Sequence, residues 1–129
     1  MRKYSLDKSK IKVLLLEGIH ENARQYFIEN GYTDTECFKE ALSPEELERK
    51  LEHTHIIGIR SRSELRKDLL IKTPKLFAIG CFSIGTNQVD LQDAKMCGIP
   101  VFNAPFSNTR SVAELVIAEC RMLMRDIPE

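Results

Sequence analysis

Three times along the chain, a short apolar run is followed directly by a polar loop, and this pattern limits the folds open to the sequence. Each run is typical of a buried strand. In a parallel α/β sheet all strands point the same way, so the three loops would meet at one edge, where open α/β sheets bind their ligands. The runs and their loops are 56–59 with 60–63, 76–80 with 81–87, and 99–102 with 103–108.

The remaining segments favour the same fold. Strand-like runs alternate with helical stretches of about ten residues, which is the pattern of βαβ units. Ser43, Pro44 and Glu46 form a capping box that opens one of these helices. We expect a flavodoxin-like α/β fold, a doubly wound parallel sheet of about five strands with flanking helices and right-handed crossovers. Further strands are expected at 12–16 and, at a sheet edge, 33–38, and helices at 21–30, 64–71, 90–97 and 109–125.

Composition narrows the class of protein. A chain of 129 residues can bury a core as one domain, and its 19 basic residues equal its 19 acidic ones, so no net charge favours nucleic acid or an anionic membrane. No apolar stretch approaches the roughly 20 residues of a membrane span, and the first residues lack an apolar signal core, so we expect a cytoplasmic protein. The cysteines form no ligand pair, so free thiols and no metal site are expected.

Arg60 and Arg62 are the first candidates for binding an anion. Along an extended segment they would project to one face, with Ser61 on the other. A guanidinium pairs bidentately with a phosphate or a carboxylate. Charged residues at a strand end are also often simply solvated, so the pattern alone leaves both interpretations open.

The turn Ser83-Ile84-Gly85 is a second candidate. Gly85 would permit positive φ and close approach of a ligand, so that successive amides form an anion-binding nest. An ordinary strand-to-helix connection would have the same composition. Asn108 stands before the last helix, where its side chain would act as an N-cap, as a ligand contact or as both.

The three histidines are not assigned to the site. His53 and His55 precede the run at 56–59 and would lie at the opposite edge of the sheet. His20 follows the first strand at the expected ligand edge, but it has no evident partner there.

Three long strings of the sequence resemble a single family. They are IGIRSR at 57–62, AIGCFSIGTNQVD at 78–90 and GIPVFNAPFSNTRSVAE at 98–114. Across essentially its whole length, the chain resembles the N-terminal part of the D-2-hydroxyacid dehydrogenases. The resemblance implies that the whole protein oxidises D-3-phosphoglycerate to 3-phosphohydroxypyruvate with NAD, the first step of L-serine biosynthesis.

The resemblance also implies roles for individual residues. The substrate-binding residues would be Arg60, Ser61, Arg62, Ser83, Ile84, Gly85 and Asn108. The turn at 83–85 would use main-chain amides, and Ile84 would also face the nicotinamide. The family often has a small residue or threonine in place of Ile84, so only its backbone amide and bulk are expected to contribute. The family's catalytic residues would lie beyond Glu129, so none is assigned within this chain.

The same resemblance divides the chain at residue 108. Residues 1–108 would form the substrate-binding domain, and 109–129 a crossover helix and the start of a linker toward an NAD-binding domain. The Gly-x-Gly-x-x-Gly turn of such a domain does not occur in these 129 residues. The helix at 109–125 is apolar nearly all round, which requires burial on several sides. We therefore expect the isolated chain to self-associate through this helix, and the resemblance implies a homo-oligomeric parent protein.

Other α/β classes fit these residues less well. A receiver-type signalling domain needs an acidic cluster after the first strand, where only Glu17 stands. A flavin-binding electron carrier needs a hydroxyl- and glycine-rich phosphate loop there, which residues 19–22 do not provide. A non-enzymatic domain that binds small phosphorylated metabolites through the same arginines remains the alternative.

Overall fold

A sheet of five parallel strands organises residues 6–125, the part of the chain that this computed structural model describes. The strands are paired in the order β2-β1-β3-β4-β5, which is the flavodoxin-like order and confirms the predicted fold. The polar strand β2 lies at one edge, as its sequence predicted. The strands are β1 (Val13–Leu15), β2 (Thr35–Cys37), β3 (Ile56–Ile59), β4 (Ala78–Cys81) and β5 (Val101–Asn103).

Each strand is followed by one α-helix, and a short 3-10 turn, Lys8–Lys10, precedes β1. Among residues 6–125, no helix is long and apolar enough to cross a membrane. The first five residues and the predicted linker start at 126–129 lie outside the described residues. The helices are α1 (Glu21–Glu29), α2 (Pro44–Leu51), α3 (Lys67–Ile71), α4 (Leu91–Met96) and α5 (Thr109–Met124).

The core lies on both faces of the central strands. All three residues of β1 are buried, and so are Ile57, Gly58 and Ile59 of β3. Successive side chains of a strand point to opposite faces, so this continuous burial means that both faces are covered, as in other parallel sheets. Leu51 of α2 and Leu70 of α3 belong to the same cluster of buried side chains.

The predicted capping box opens α2. The Ser43 hydroxyl accepts a hydrogen bond of 3.3 Å from the amide of Glu46, and Pro44 occupies the first turn. The Glu46 carboxylate reaches back to the Ser43 hydroxyl, at 3.4 Å. The cap therefore fixes where the chain turns from the edge strand β2 back toward β3.

The helix predicted at 64–71 begins later, at Lys67. Leu65 is buried and forms a parallel bridge with Val89. Its amide donates to the carbonyl of Gln88 at 2.8 Å, and its carbonyl accepts from the amide of Asp90 at 3.0 Å. A tertiary contact has thus replaced the first helical turn, and it ties the loop after β3 to the loop after β4.

Helix α5 has the predicted bounds within one residue, and all of its residues are exposed. The burial that its apolar sequence requires is not provided by residues 6–125. The large apolar side chains exposed on α5 are Val112, Leu115, Val116, Ile117, Met122, Leu123 and Met124.

Candidate functional site

The three polar loops meet at the carboxyl edge of the sheet, as predicted. The amide of Phe82, after β4, donates to the carbonyl of Ile59, the last residue of β3, at 2.8 Å. The side-chain amide of Asn103, the last residue of β5, donates to the Ile84 carbonyl at 2.7 Å. These bonds hold the loops at 60–63, 82–87 and 103–108 side by side.

Glu17, two residues after the end of β1, places its carboxylate inside the loop that follows β3. Its carboxylate Oε2 accepts hydrogen bonds from the amides of Ser61, at 2.8 Å, and Arg62, at 2.9 Å. Its Oε1 accepts from the amide of Ser63, at 2.8 Å. The side chain is only 8 % exposed, so this is a buried carboxylate that three successive amides of one loop solvate.

The Glu17 contact corrects the prediction for the arginine loop. In an extended segment neighbouring amides point in opposite directions, whereas the amides of residues 61–63 all point at one carboxylate. The loop therefore bends at Ser61 and Arg62, and the two-residue alternation that would place Arg60 and Arg62 on one face, with Ser61 on the other, does not apply. Both arginines are exposed, and neither guanidinium forms an ion pair or hydrogen bond within the described residues.

Burial of Glu17 opposes its ionisation, but hydrogen bonding reverses the balance. Hydrogen bonds from the amides of Arg62 and Ser63 favour the carboxylate form strongly enough to hold the pKa of Glu17 below its usual value. Glu17 is therefore negatively charged at neutral pH, and it lies beside the loop that carries Arg60 and Arg62.

Gln88 joins the loops from the other side. It is 8 % exposed, and its Nε2 donates to the carbonyl of Arg60 and to the hydroxyl of Ser83, the latter at 3.0 Å. The Ser83 hydroxyl in turn donates to the carbonyl of Gly85 at 2.8 Å. Ser83 is therefore used to shape the turn, and its hydroxyl is already engaged on both sides.

The turn at 83–85 points its carbonyls into the protein. The Ser83 carbonyl accepts from the amide of Ala104 at 3.1 Å, the Ile84 carbonyl from Asn103, and the Gly85 carbonyl from Ser83. Within residues 6–125, the amides of Ile84 and Gly85 donate to no other group. Two main-chain donors at the ligand edge therefore remain available for an anion.

Gly85 does not adopt the positive φ that a glycine permits. Among the described residues the glycines with positive φ are Gly18, Gly31 and Gly98. The turn at 83–85 is instead set by its carbonyl contacts, which require no left-handed residue. Three successive amides surround an anion elsewhere, at 61–63, where the carboxylate of Glu17 occupies them. Anion binding by the amides of the turn at 83–85 stays a prediction.

Asn108 occupies the N-cap position of α5, but its side chain makes no capping hydrogen bond. The capping interpretation of this residue is therefore wrong, and the side chain is exposed. Ile84 is 43 % exposed at the same edge of the sheet.

A shallow pocket of about 350 Å³ lies between the loops after β3 and β4. It brings together Ser61, Ser83 and Gly85, whereas Arg60, Arg62, Ile84 and Asn108 do not line it. Arg66 also lines it, donating to the Glu64 carboxylate at 3.2 Å and to the carbonyl of Asn87 at 3.3 Å. The pocket is therefore lined by a cationic side chain, that of Arg66, which the sequence analysis did not identify.

The histidine and cysteine side chains are not assigned to the candidate site. His20 caps α1, its Nδ1 accepting from the amide of Asn22 at 3.2 Å, and His55 accepts from the amide of Lys12 at the opposite sheet edge, at 3.0 Å. The four cysteines are free, and burial raises the pKa of the Cys81 thiol. Residues 6–125 contain no cluster of three or more side chains able to hold a metal ion.

The model of one protein family matches residues 13–125, nearly the whole of the described chain. That family is the D-isomer specific 2-hydroxyacid dehydrogenases, and the match is to their catalytic domain. The chain belongs to this family.

Relatives within the D-isomer specific 2-hydroxyacid dehydrogenase family include two bacterial enzymes named D-3-phosphoglycerate dehydrogenase. The chain is 55% identical to that of Haemophilus influenzae over 127 residues, which covers 98% of the chain and 31% of the relative. It is 56% identical to that of Escherichia coli strain K12 over 129 residues, which covers 100% of the chain and 32% of the relative. The chain thus spans about a third of the length of these relatives.

A solved structure of another dehydrogenase confirms the fold. The D-lactate dehydrogenase of Aquifex aeolicus, solved with NAD and lactic acid, superposes with a TM-score of 0.72 at 26% identity. The superposition covers 87% of this chain and 33% of the Aquifex chain.

Besides Arg66, sequence reasoning missed Glu17 and Gln88, which shape the loops of this candidate site. A single acid after β1 was noted only because it is too few for a receiver domain. The sequence signal for Glu17 was its position, between four leucine or valine residues, which are buried, and Gly18. A single carboxylate at such a position needs a hydrogen-bonding partner inside the protein. Gln88 carries no comparable signal, because its contacts depend on a loop 28 residues earlier.

Proposed function

We propose that this chain forms the substrate-binding part of an NAD-dependent dehydrogenase that oxidises D-3-phosphoglycerate to 3-phosphohydroxypyruvate, the first step of L-serine biosynthesis. The observation that carries the proposal is an identity of 55 and 56% to two enzymes named D-3-phosphoglycerate dehydrogenase, over essentially the whole chain. Because the chain spans about a third of those relatives, the activity is proposed for the full polypeptide that contains these residues.

The proposed substrate carries a phosphate and a carboxylate, and the ligand edge offers two kinds of donor for them. Arg60 and Arg62 are exposed and have no ion-pair partner within residues 6–125, so they are free to bind an anionic group bidentately. The free amides of Ile84 and Gly85 are suited to the carboxylate, because main-chain donors held by a fixed turn need no reorganisation on binding.

Ser61, Ser83 and Asn108 complete the proposed set of substrate-binding residues. Ser61 and Ser83 line the pocket between the two loops. The Ser83 hydroxyl is engaged within the turn, so we assign it to shaping the turn. The side-chain amide of Asn108 is exposed and does not cap α5, and it is therefore available to the substrate.

NAD is the proposed cofactor and accepts a hydride from the substrate carbon. Within this chain the proposed contact with the nicotinamide is Ile84, whose exposed side chain offers an apolar surface beside the two free amides. The 129 residues contain no Gly-x-Gly-x-x-Gly turn, so the dinucleotide phosphates are assigned to another part of the polypeptide, as are the catalytic residues.

The domain division is also a proposal. We assign 1–108 to the substrate-binding domain and 109–129 to the crossover toward the NAD-binding part. The full exposure of α5 supports this division, because such an apolar helix needs a cover that residues 6–125 do not provide. We further propose that the full polypeptide is cytoplasmic and that it forms a homo-oligomer.

An assay of NADH formation tests the proposed function. The full polypeptide and the 129-residue chain are each given NAD with D-3-phosphoglycerate, D-glycerate or D-lactate. We expect the full polypeptide to have its highest kcat/KM with D-3-phosphoglycerate, and the 129-residue chain to form no NADH above a heat-inactivated blank. A preference for an unphosphorylated acid would contradict the proposed substrate. Binding of D-3-phosphoglycerate without turnover would favour the non-enzymatic alternative.

A further inference from the structure

The backbone at Glu17 is held in a conformation that an L-residue with a side chain rarely adopts. Its φ is 62°, next to Gly18 at 64°. The left-handed region costs a non-glycine residue roughly 1–2 kcal/mol, so glycine would be the ordinary choice at this position. The surrounding backbone fixes the conformation, since the amide of Glu17 donates to the carbonyl of Glu40 at 3.2 Å and that of Gly18 to Phe38 at 3.0 Å.

The unfavourable backbone directs a buried charge into the arginine loop. The Glu17 carboxylate has no cationic partner among the described residues, and the amides of Ser61, Arg62 and Ser63 are its donors. The same loop carries Arg60 and Arg62. Gln88 holds the other end of the loop through the carbonyl of Arg60. The path of the backbone between the two guanidiniums is therefore fixed by groups from two other loops.

We propose that Glu17 is a positioning residue for substrate binding, and that it acts as a permanent internal anion in the loop of Arg60 and Arg62. This inference rests on the proposed function. By occupying the amides of 61–63, the carboxylate keeps an external phosphate or carboxylate from binding there. The substrate anion then meets the guanidiniums and the free amides of the turn at 83–85. The negative charge beside the loop also offsets repulsion between the two arginines.

Replacement by glycine separates this role from a purely structural one. Glu17→Gly removes the carboxylate and at the same time relieves the left-handed backbone, so the loss of stability is reduced. If Glu17 only stabilised the fold, a folded glycine variant would bind substrate normally. If it positions the arginine loop, the variant folds but binds D-3-phosphoglycerate weakly. Formate, a carboxylate without a side chain, then serves as a probe of the vacated amides.

The test is carried out on the full polypeptide, with binding of D-3-phosphoglycerate measured by calorimetry and with KM and kcat measured separately. We expect Glu17→Gly to weaken binding at least about tenfold, the loss expected for one hydrogen bond to a charged group, with KM raised more than kcat is lowered. We expect formate to have opposite effects on the two proteins. It competes with substrate in the wild type, and it restores binding in the variant by taking the place of the lost carboxylate.

Glu52→Gln is the matched control, because Glu52 is an exposed carboxylate at the end of α2. This variant should bind D-3-phosphoglycerate as tightly as the wild type does. Equal affinity of the wild type and a folded Glu17→Gly protein would overturn the inference alone. Weak binding that formate weakens further would also overturn it. A wild-type protein that does not bind D-3-phosphoglycerate would overturn the proposed function, and the inference with it.

Discussion

The amide of Ser63 donates a hydrogen bond of 2.8 Å to the carboxylate of Glu17, a residue 46 positions earlier in the chain. The bond joins the loop after β1 to the loop after β3, and these strands are neighbours in the sheet. An acid from one strand end thereby sets the conformation of a basic loop at the next.

The lowered pKa of Glu17 predicts a pH-dependent contribution to stability. Burial alone would raise the pKa, but the hydrogen bonds from Arg62 and Ser63 hold it below the 4.5 of an unperturbed glutamate. A carboxyl group whose folded pKa is depressed stabilises the fold above its unfolded pKa, and this contribution is lost as the pH falls through the folded value. We expect the wild type to lose stability relative to Glu17→Gln as the pH falls below about 4.5.

Urea unfolding of both proteins between pH 7 and pH 3 measures this difference. Glu36 and Asp90 also have lowered pKa values, from the side chains of Lys12 and Lys50 and from the amide of Asp93 respectively, so both proteins lose stability in acid. The Glu17 contribution is therefore the difference between the two curves. A difference that does not change with pH would contradict the ionised state of Glu17.

The parallel α/β sheet and the meeting of the three loops could be predicted because the strands are marked by local patterns. The apolar runs at 56–59, 76–80 and 99–102 are typical of buried strands, and parallel pairing of these strands then places their loops at one edge of the sheet. The bend at Ser61 could not be predicted in this way, since it is imposed by Glu17 from another strand. The late start of α3 has the same origin, because Leu65 pairs with Val89 instead of entering a helix.

Close packing at Gly58 predicts a large effect of adding one methyl group. A Cβ at this position would lie 2.7 Å from Leu15 Cδ2 and 2.9 Å from the Phe82 ring. We expect Gly58→Ala to lower the free energy of unfolding by about 1–3 kcal/mol, the usual effect of overpacking a core. Gly85→Ala is the control, since its Cβ would approach no atom closer than 3.9 Å. Equal stability of the two variants in urea would show that the packing around Gly58 is looser than described.

The exposed apolar side chains around α5 predict that the purified 129-residue chain self-associates. Leu115 is 57 % exposed and Ile117 is 58 % exposed, and stable monomers rarely leave apolar patches larger than ~300–600 Å² uncovered. We expect light scattering to show dimers or larger species whose proportion rises with concentration, and the double substitution of Leu115 and Ile117 by lysine to restore the monomer. Glu119→Lys, on the same helix, should leave association unchanged. A monomeric wild type at high concentration would contradict this expectation.

The substrate kinetics of Arg60→Ala in the full polypeptide test the central claim, that the arginine loop binds the substrate anion. Arg60 is exposed and unpaired within the described residues, so its removal should leave the fold intact. Arg49→Ala removes an equally charged side chain from the last turn of α2, before β3 begins, and serves as the control. We expect Arg60→Ala to lower kcat/KM for D-3-phosphoglycerate by about 30-fold or more, with KM for NAD unchanged, since bound substrate desolvates the pair and truncating one partner of a desolvated, hydrogen-bonded charge pair costs about 2–5 kcal/mol. Unchanged kinetics with D-3-phosphoglycerate would remove Arg60 from the site and contradict the account.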